Sequence, residues 1–169
     1  MRIIKRTDIK KTIIRALIKA NIVLRIDVLS SLKSALRKER NKRADYILKS
    51  IIENARIAKK GNLPICQDTG MPVVFLEVGQ NVKIVGGNLE DIINEAIAEG
   101  TKKGFLRKSI VEPLFNRRYV KTKLCIIHTR IVKGSRLKIT VLPKGFGCEN
   151  KTTLKMFKPT ADLSKIEDF

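Results

Sequence analysis

Apolar residues recur at helical spacing through the first third of the chain. Ile9, Ile13 and Leu17, with Ile14 and Ile18 beside them, form a stripe that predicts a first helix, with Thr7 or Asp8 as its N-cap. A second helix is expected after Asp27, with Val28, Leu32, Ala35 and Leu36 on one face. A third is expected from about Arg43 to Lys60. Its stripe is Ile47, Leu48, Ile51, Ile52, Ala55 and Ala58, and Gly61 stands where a helix commonly ends. The basic residues of all three fall mostly off the stripes, as solvated faces do.

The period changes after Gly61. Pro64 biases Leu63 away from helix, so the segment Asn62-Leu63-Pro64 reads as extended. Pro72 to Val78 reads as a strand, and Asn81 to Val85 as a second strand or its return, broken by Gly86-Gly87. Asn88 then caps a helix whose buried face is Leu89, Ile92, Ile93, Ala96 and Ile97, with Asp91 at its third position and Gly104 at its end. Lys123 to Val132 and Arg136 to Leu142 are β-rich runs, and Lys133-Gly134-Ser135 between them predicts a hairpin. Pro143 to Asn150 is a glycine-bearing loop, Lys151 to Phe157 a short structured stretch, and Leu163 to Phe169 the start of a further element. The expected fold is α+β: an N-terminal helical layer (1–61) packed on a mixed, largely antiparallel β part with a crossing helix (62–158). Residues 159–169 would then open an element that continues in a longer subunit, of which this chain is the N-terminal part.

Composition narrows the class. With 43% hydrophobic and 31% charged residues over 169 positions, the chain has the makeup of a folded domain rather than a disordered or collagenous one. No run of about 18 apolar residues is present to span a membrane, and Met1 to Lys11 lacks the pattern of a secretory signal. Cys66, Cys125 and Cys148 are odd in number and widely spaced, which argues against a disulfide framework and for a cytoplasmic setting. The net charge of +20 is uneven: residues 1–60 carry 18 basic and 5 acidic side chains, 61–100 carry 1 and 6, and 101–169 carry 17 and 5. Nucleic acid, an anionic surface and small polyanions are all compatible with that balance, as is plain solubility. With aromatic residues at 5% and no Trp, the chain lacks the stacking surface of a nucleic-acid module.

Two segments carry candidate chemistry. Pro64-Ile65-Cys66-Gln67-Asp68-Thr69-Gly70 places a thiol, an amide, a carboxylate and a hydroxyl together between a helix and a strand. Cys66 can serve as metal ligand or nucleophile, and Asp68 as acid, base or orienting group. The plainer alternative is a tight turn capped by Asp68 and Thr69. In Lys144-Gly145-Phe146-Gly147-Cys148-Glu149-Asn150-Lys151, two glycines permit close backbone approach to an anion and two lysines supply charge, without the spacing of a Walker loop. His128, the sole histidine, lies inside a strand pattern, and one His with scattered cysteines does not make a zinc site. Arg107 can clamp a carboxylate or stand as one more solvated base.

Taken in order, these segments resemble one family. Glu53-Asn54-Ala55-Arg56-Ile57-Ala58, the Cys66-Gln67-Asp68-Thr69-Gly70 run, Val74 to Gly79, Leu106-Arg107-Lys108-Ser109-Ile110-Val111, Ile127-His128-Thr129 and Lys144-Gly145 to Asn150 look like the alpha subunit of class I fumarate hydratases and L-tartrate dehydratase. The resemblance implies a hydro-lyase with a [4Fe–4S] cluster held by three cysteines, its open iron a Lewis acid toward a small dicarboxylate. Cys66 matches the first of those cysteines. Gln67 and Asp68 match substrate-contacting positions, with Asp68 the catalytic candidate. Arg107 matches a carboxylate-binding arginine, and Gly145, Gly147 and Asn150 fall in a glycine loop lining the substrate. The family's other two cluster cysteines have no counterpart in this chain. The resemblance further implies an oligomer in which a beta subunit or C-terminal domain supplies the base. Two departures stand out: Phe146 interrupts the glycine loop, and Arg117-Arg118-Tyr119-Val120-Lys121-Thr122-Lys123 replaces a polar, asparagine-containing turn.

Overall fold

Alternating side chains in Met71–Gly79 build the centre of the molecule: Pro72, Val74 and Leu76 are buried, and Phe75 faces out. The computed structural model of the chain describes every residue except 113, 115, 117, 121, 122 and 148–151. The elements run β1 (Arg2–Lys5), α1 (Arg6–Ile22), α2 (Ile26–Lys38), α3 (Lys42–Gly61), β2 (Met71–Gly79), β3 (Val82–Val85), α4 (Leu89–Lys103), β4 (Ile126–Val132), β5 (Leu137–Lys144) and α5 (Leu163–Glu167). The class is α+β, as the periodicity predicts.

One sheet has the order β4-β2-β5, with β4 parallel and β5 antiparallel to β2; a second pairs β1 with β3 in parallel. Two of the three pairings are therefore parallel, and the β part is mixed rather than largely antiparallel. The hairpin expected at Lys133-Gly134-Ser135 does not form, because β2 lies between its two arms. The connection instead wraps the end of β2: the Gly79 N–H donates to Arg136 O at 2.8 Å, Gln80 N–H to Val132 O at 2.8 Å, and Asn81 N–H to Gly134 O at 2.9 Å. The strand at Val82–Val85 does not return along β2 either. It pairs with β1, an element whose Arg-Ile-Ile-Lys sequence shows no period long enough to read.

The inner face of the larger sheet is apolar in register. Val74 lies opposite Ile127 on one side and Val141 on the other, and Leu76 opposite Ile139. Against it pack Ile9, Ile13 and Leu17 of α1 and Ile92, Ile93, Ala96 and Ile97 of α4. Each fully buried aliphatic side chain contributes about 1.5–3 kcal/mol. At the α1–α4 seam, Lys10 lies 3.2 Å from Glu95 and 3.3 Å from Glu99, and Arg6 also pairs with Glu95. Lys10 and Arg6 hold the Glu95 carboxyl below the usual range.

The helical layer over the sheet is thus α1 with α4, not the three N-terminal helices together. α2 has no buried residue, and of the α3 stripe only Ala55 and Ala58 are buried. The two helices form a hairpin beside the core. Helix ends differ from expectation in two places. α1 starts at Arg6 because the chain enters directly from β1; its N-cap is Lys5, without a side-chain bond, and Asp8 sits in the first turn. At the end of α3, Gly61 remains helical and Asn62 takes the left-handed conformation at φ 52°. Residues 152–157 carry no helix or strand, and Leu163–Glu167 is a short helix.

Asn88 caps α4 as expected, its side chain accepting from Glu90 N–H at 2.8 Å and Asp91 N–H at 3.3 Å. Replacing it with Ala removes that acceptor from two orphan donors. Asn88→Ala should cost about 1 kcal/mol, a lowering of the melting midpoint by roughly 2–4 °C that calorimetry would read.

Candidate functional site

The segment 64–70 runs from the end of α3 to the start of β2, and backbone and side-chain hydrogen bonds hold it at several points. Asn54 Nδ2–H donates to Ile65 O at 2.8 Å, and Ile65 N–H donates to Asn21 O at 2.9 Å. Buried Thr69 donates its hydroxyl to Arg107 O at 3.1 Å, which ties the segment to the chain leaving α4. Gly70, at φ +64°, lies against the end of β5: a Cβ there would stand 1.8 Å from Lys144 O. Only glycine satisfies both conditions.

That anchoring brings two distant stretches to one place. Gly147 N–H donates to Asp68 Oδ2 at 2.9 Å across 79 positions of sequence. A Cβ on Gly145 would stand 2.9 Å from the same oxygen. The glycine loop thus lies on the Asp68 carboxylate, and it is the absence of a side chain at Gly145 that lets it approach; at Gly147 a Cβ would stand 3.5 Å from the same oxygen, an ordinary contact. Lys144 Nζ donates to Gly145 O at 3.0 Å.

Beside this contact lies an open cleft of about 880 Å³. Gln67, Asp68, Arg107, Lys108 and Ser109 line its polar side, and Met71, Ile110, Val111 and Phe146 its apolar side. Gln67 and Arg107 are exposed and Asp68 is half-buried. Among the described residues no carboxylate pairs with the Arg107 guanidinium, so the cation is open to an anion entering the cleft. Lys108 is engaged elsewhere, its Nζ 5.2 Å from the Tyr119 ring centroid.

Of the residues singled out by sequence, Gln67, Asp68 and Arg107 meet at the cleft, and Gly145 and Gly147 meet Asp68. Asn150, Cys148 and Lys151 lie outside the described residues. His128 is not at the cleft; it is exposed on the outer face of the sheet and stacks on Phe75 at 5.2 Å between centroids. Phe146, expected to obstruct the loop, is part of the cleft wall. Sequence reasoning missed Met71 as a wall residue and Thr69 as the anchor of Arg107. Neither has a local signal, since Met71 reads as the first residue of a strand and Thr69 as a turn.

The described cysteines differ sharply. Cys66 is exposed, and Asp68 N–H points at its sulfur at 3.4 Å. Cys125 is buried, its thiol directed at Asn94 Oδ1 at 3.9 Å; burial, with the Glu90 charge a lesser cause, pushes its pKa up to about 11. At pH 8 iodoacetamide should therefore modify Cys66 quickly and leave Cys125 unmodified until the chain unfolds, which peptide mass mapping would show. Equal rates would contradict the packing around Cys125. Among the described residues no three His, Cys, Asp or Glu side chains gather closely enough to share a metal ion. These residues do not complete an iron–sulfur site by themselves; Cys66 is the one described thiol both exposed and next to the cleft.

Comparison with known proteins supplies the class. The pattern of the fumarate hydratase (Fumerase) family matches residues 10–169, and the chain belongs to that family. A Methanocaldococcus jannaschii protein provisionally named L(+)-tartrate dehydratase subunit alpha is 38% identical over 160 residues, covering 89% of this chain and 55% of that protein. A Geobacillus stearothermophilus protein provisionally named class I fumarate hydratase is 31% identical over 123 residues, covering 71% of this chain and 24% of that protein. The Escherichia coli K12 L(+)-tartrate dehydratase subunit alpha is 34% identical over 86 residues, 51% of this chain and 28% of that one. The chain spans about half the length of the first of these relatives and less of the others. No described helix is long and apolar enough to cross a membrane.

Proposed function

We propose that this chain contributes the dicarboxylate-binding part of a hydro-lyase that reversibly hydrates fumarate to malate, with L-tartrate dehydration as the alternative reaction of the same cleft. The observation that carries this reading is the convergence of Gln67, Asp68 and Arg107 on one cleft, with the 145–147 loop resting on Asp68. Hydration forms one C–O and one C–H bond at the expense of a C=C π bond and a water O–H bond. A site for it must hold two carboxylates and orient one oxygen. Arg107 supplies a forked cation for one carboxylate, and Gln67 an amide donor for the other. Gly147 N–H binds Asp68 Oδ2, which leaves Oδ1 to take the proton of the attacking water in hydration and to return it to the departing hydroxyl in dehydration.

Cys66 is our candidate for one ligand of a [4Fe–4S] cluster. The remaining ligands, and the general base that exchanges the carbon-bound proton, come in this reading from a beta subunit or a further domain. The names of two relatives as alpha subunits support such an assembly. A reducing cytoplasm suits both a cluster and an exposed thiol.

The test is to purify the native assembly anaerobically and follow fumarate hydration and L-tartrate dehydration side by side. Turnover of neither substrate would refute the reading. In that assembly Arg107→Lys keeps the charge and loses the fork. Its kcat/KM should fall about ten-fold or more, the loss expected when a charge-assisted bidentate pair is broken. Unchanged kinetics would make Arg107 one of the solvated bases.

A further inference from the structure

We propose that the groove between α2 and α3 is a docking site for an acidic amphipathic helix of a partner protein. This rests on the hairpin itself and is independent of the hydro-lyase reading. The groove has a volume of about 500 Å³ and an apolar lining in which Val28, Leu32, Ile47 and Ile51 are prominent. Val28, Ile47 and Ile51 are 40%, 49% and 43% exposed, although all three lie on the stripes that should drive helix burial. The pairing of the two helices leaves these side chains uncovered, and the hydrophobic core packed on the sheet takes no residue from α2 or α3. Between Ile47 and Ala55 the floor runs for nine residues, a length of about 13 Å, which suits roughly two to three turns of a bound helix.

The chemistry of the occupant follows from the ends of the groove. The turn joining the helices carries Arg37, Lys38, Arg40, Lys42 and Arg43, all exposed, and a single acid, Glu39. Glu39 Oε1 accepts the backbone N–H groups of Arg40 and Asn41 at 2.8 Å, and Asp45 pairs with Lys49 at 2.8 Å. Among the described residues none of the five cations has an ion pair. Lys42 and Arg43 also occupy the first turn of α3, where the helix dipole disfavours positive charge. Five like charges at one turn, two of them against the dipole, are a local conflict that negative charge from outside would resolve.

A second copy of this chain is a poor source, since it brings the same basic turn and a net charge of +20. Nucleic acid would match the cations and leave the aliphatic floor unused. An acidic amphipathic helix matches both. The other end of the groove is Ile65, one residue before Cys66 and bonded to Asn54 and Asn21. A helix seated there would therefore run from the basic turn to the loop that carries Cys66.

Fluorescence anisotropy with the full 169-residue chain tests this. The probe is a designed helical peptide with Leu at i, i+3, i+4 and i+7 and Glu on both flanks. Its controls are a Lys-flanked version, a Leu-to-Ser version and an RNA oligonucleotide. The acidic amphipathic peptide should bind saturably, more weakly as salt rises, and the two peptide controls should not bind. Ile47→Glu with Ile51→Glu should weaken binding about ten-fold or more. Arg40→Glu with Arg43→Glu, which touches no apolar contact and keeps the fold if the first pair does not, should weaken binding and flatten its salt dependence. Equal binding of the Lys-flanked peptide, no binding of the acidic one, or tighter RNA binding at the same arginines would overturn the proposal. So would self-association that Ile51→Glu abolishes.

Discussion

Asp68→Asn in the intact assembly should leave the fold in place and lower kcat by about 10²–10⁴-fold, the range for loss of a positioned proton-transfer group. The substitution separates two things that Asp68 does. Its Oδ2 accepts the Gly147 N–H at 2.9 Å, and an asparagine oxygen can accept the same bond. What an amide cannot do is take a proton at neutral pH. The thermal midpoint of Asp68→Asn should therefore stay near that of the parent while turnover collapses. Asp68→Ala should lose both turnover and the loop tie. If Asp68→Asn retains full turnover, the carboxylate is an anchor for the glycine loop and the proton belongs to another group.

The second large effect is on stability. Gly70→Ala places a methyl group where Lys144 O already stands, 1.8 Å away, at a φ of +64° that alanine disfavours. The neighbouring backbone is that of Lys144, the last residue of β5, paired opposite Met71, so it cannot yield as a flexible side chain would. The junction between β2 and β5 must open, and we expect a loss of about 3 kcal/mol or more. For a chain of this size that lowers the melting midpoint by roughly 6–12 °C. The site should suffer too, because Asp68 and Gly145 flank the two residues forced apart. A midpoint within about 2 °C of the parent would show that the strand ends are not in close contact.

Local chemistry was the legible part. Asn88 caps α4 through bonds to Glu90 and Asp91, and both the residue type and its offset announce that in the sequence. The period of α1 likewise names Ile9, Ile13 and Leu17 as core. The stripes of α2 and α3 look equally strong on paper, yet of their ten side chains only Ala55 and Ala58 are buried and four remain exposed. Periodicity says which face seeks burial, not whether a surface is there to meet it. Strand partners were the illegible part. Lys133-Gly134-Ser135 has the chemistry of a turn, and nothing near it reveals that residues 71–79 slip between its arms. The cleft shows the same division. Cys66 to Gly70 and Gly145 to Gly147 stand out as unusual segments, but the bond from Gly147 to Asp68 spans 79 residues and leaves no mark in either segment alone.

The sandwiching of β2 also decides the order in which the molecule can assemble. As the chain leaves the ribosome, α2 and α3 can pair at once, since both are made before β2 begins. β2 has to wait. Both of its neighbours lie at 126–144, so its backbone donors and apolar face stay unsatisfied through the synthesis of some fifty further residues. Even β1, the first segment made, has no partner until Val82–Val85 arrive. The centre of this protein therefore cannot be completed until residue 144 has been made, and through that interval the apolar face of β2 is open to aggregation or chaperone capture.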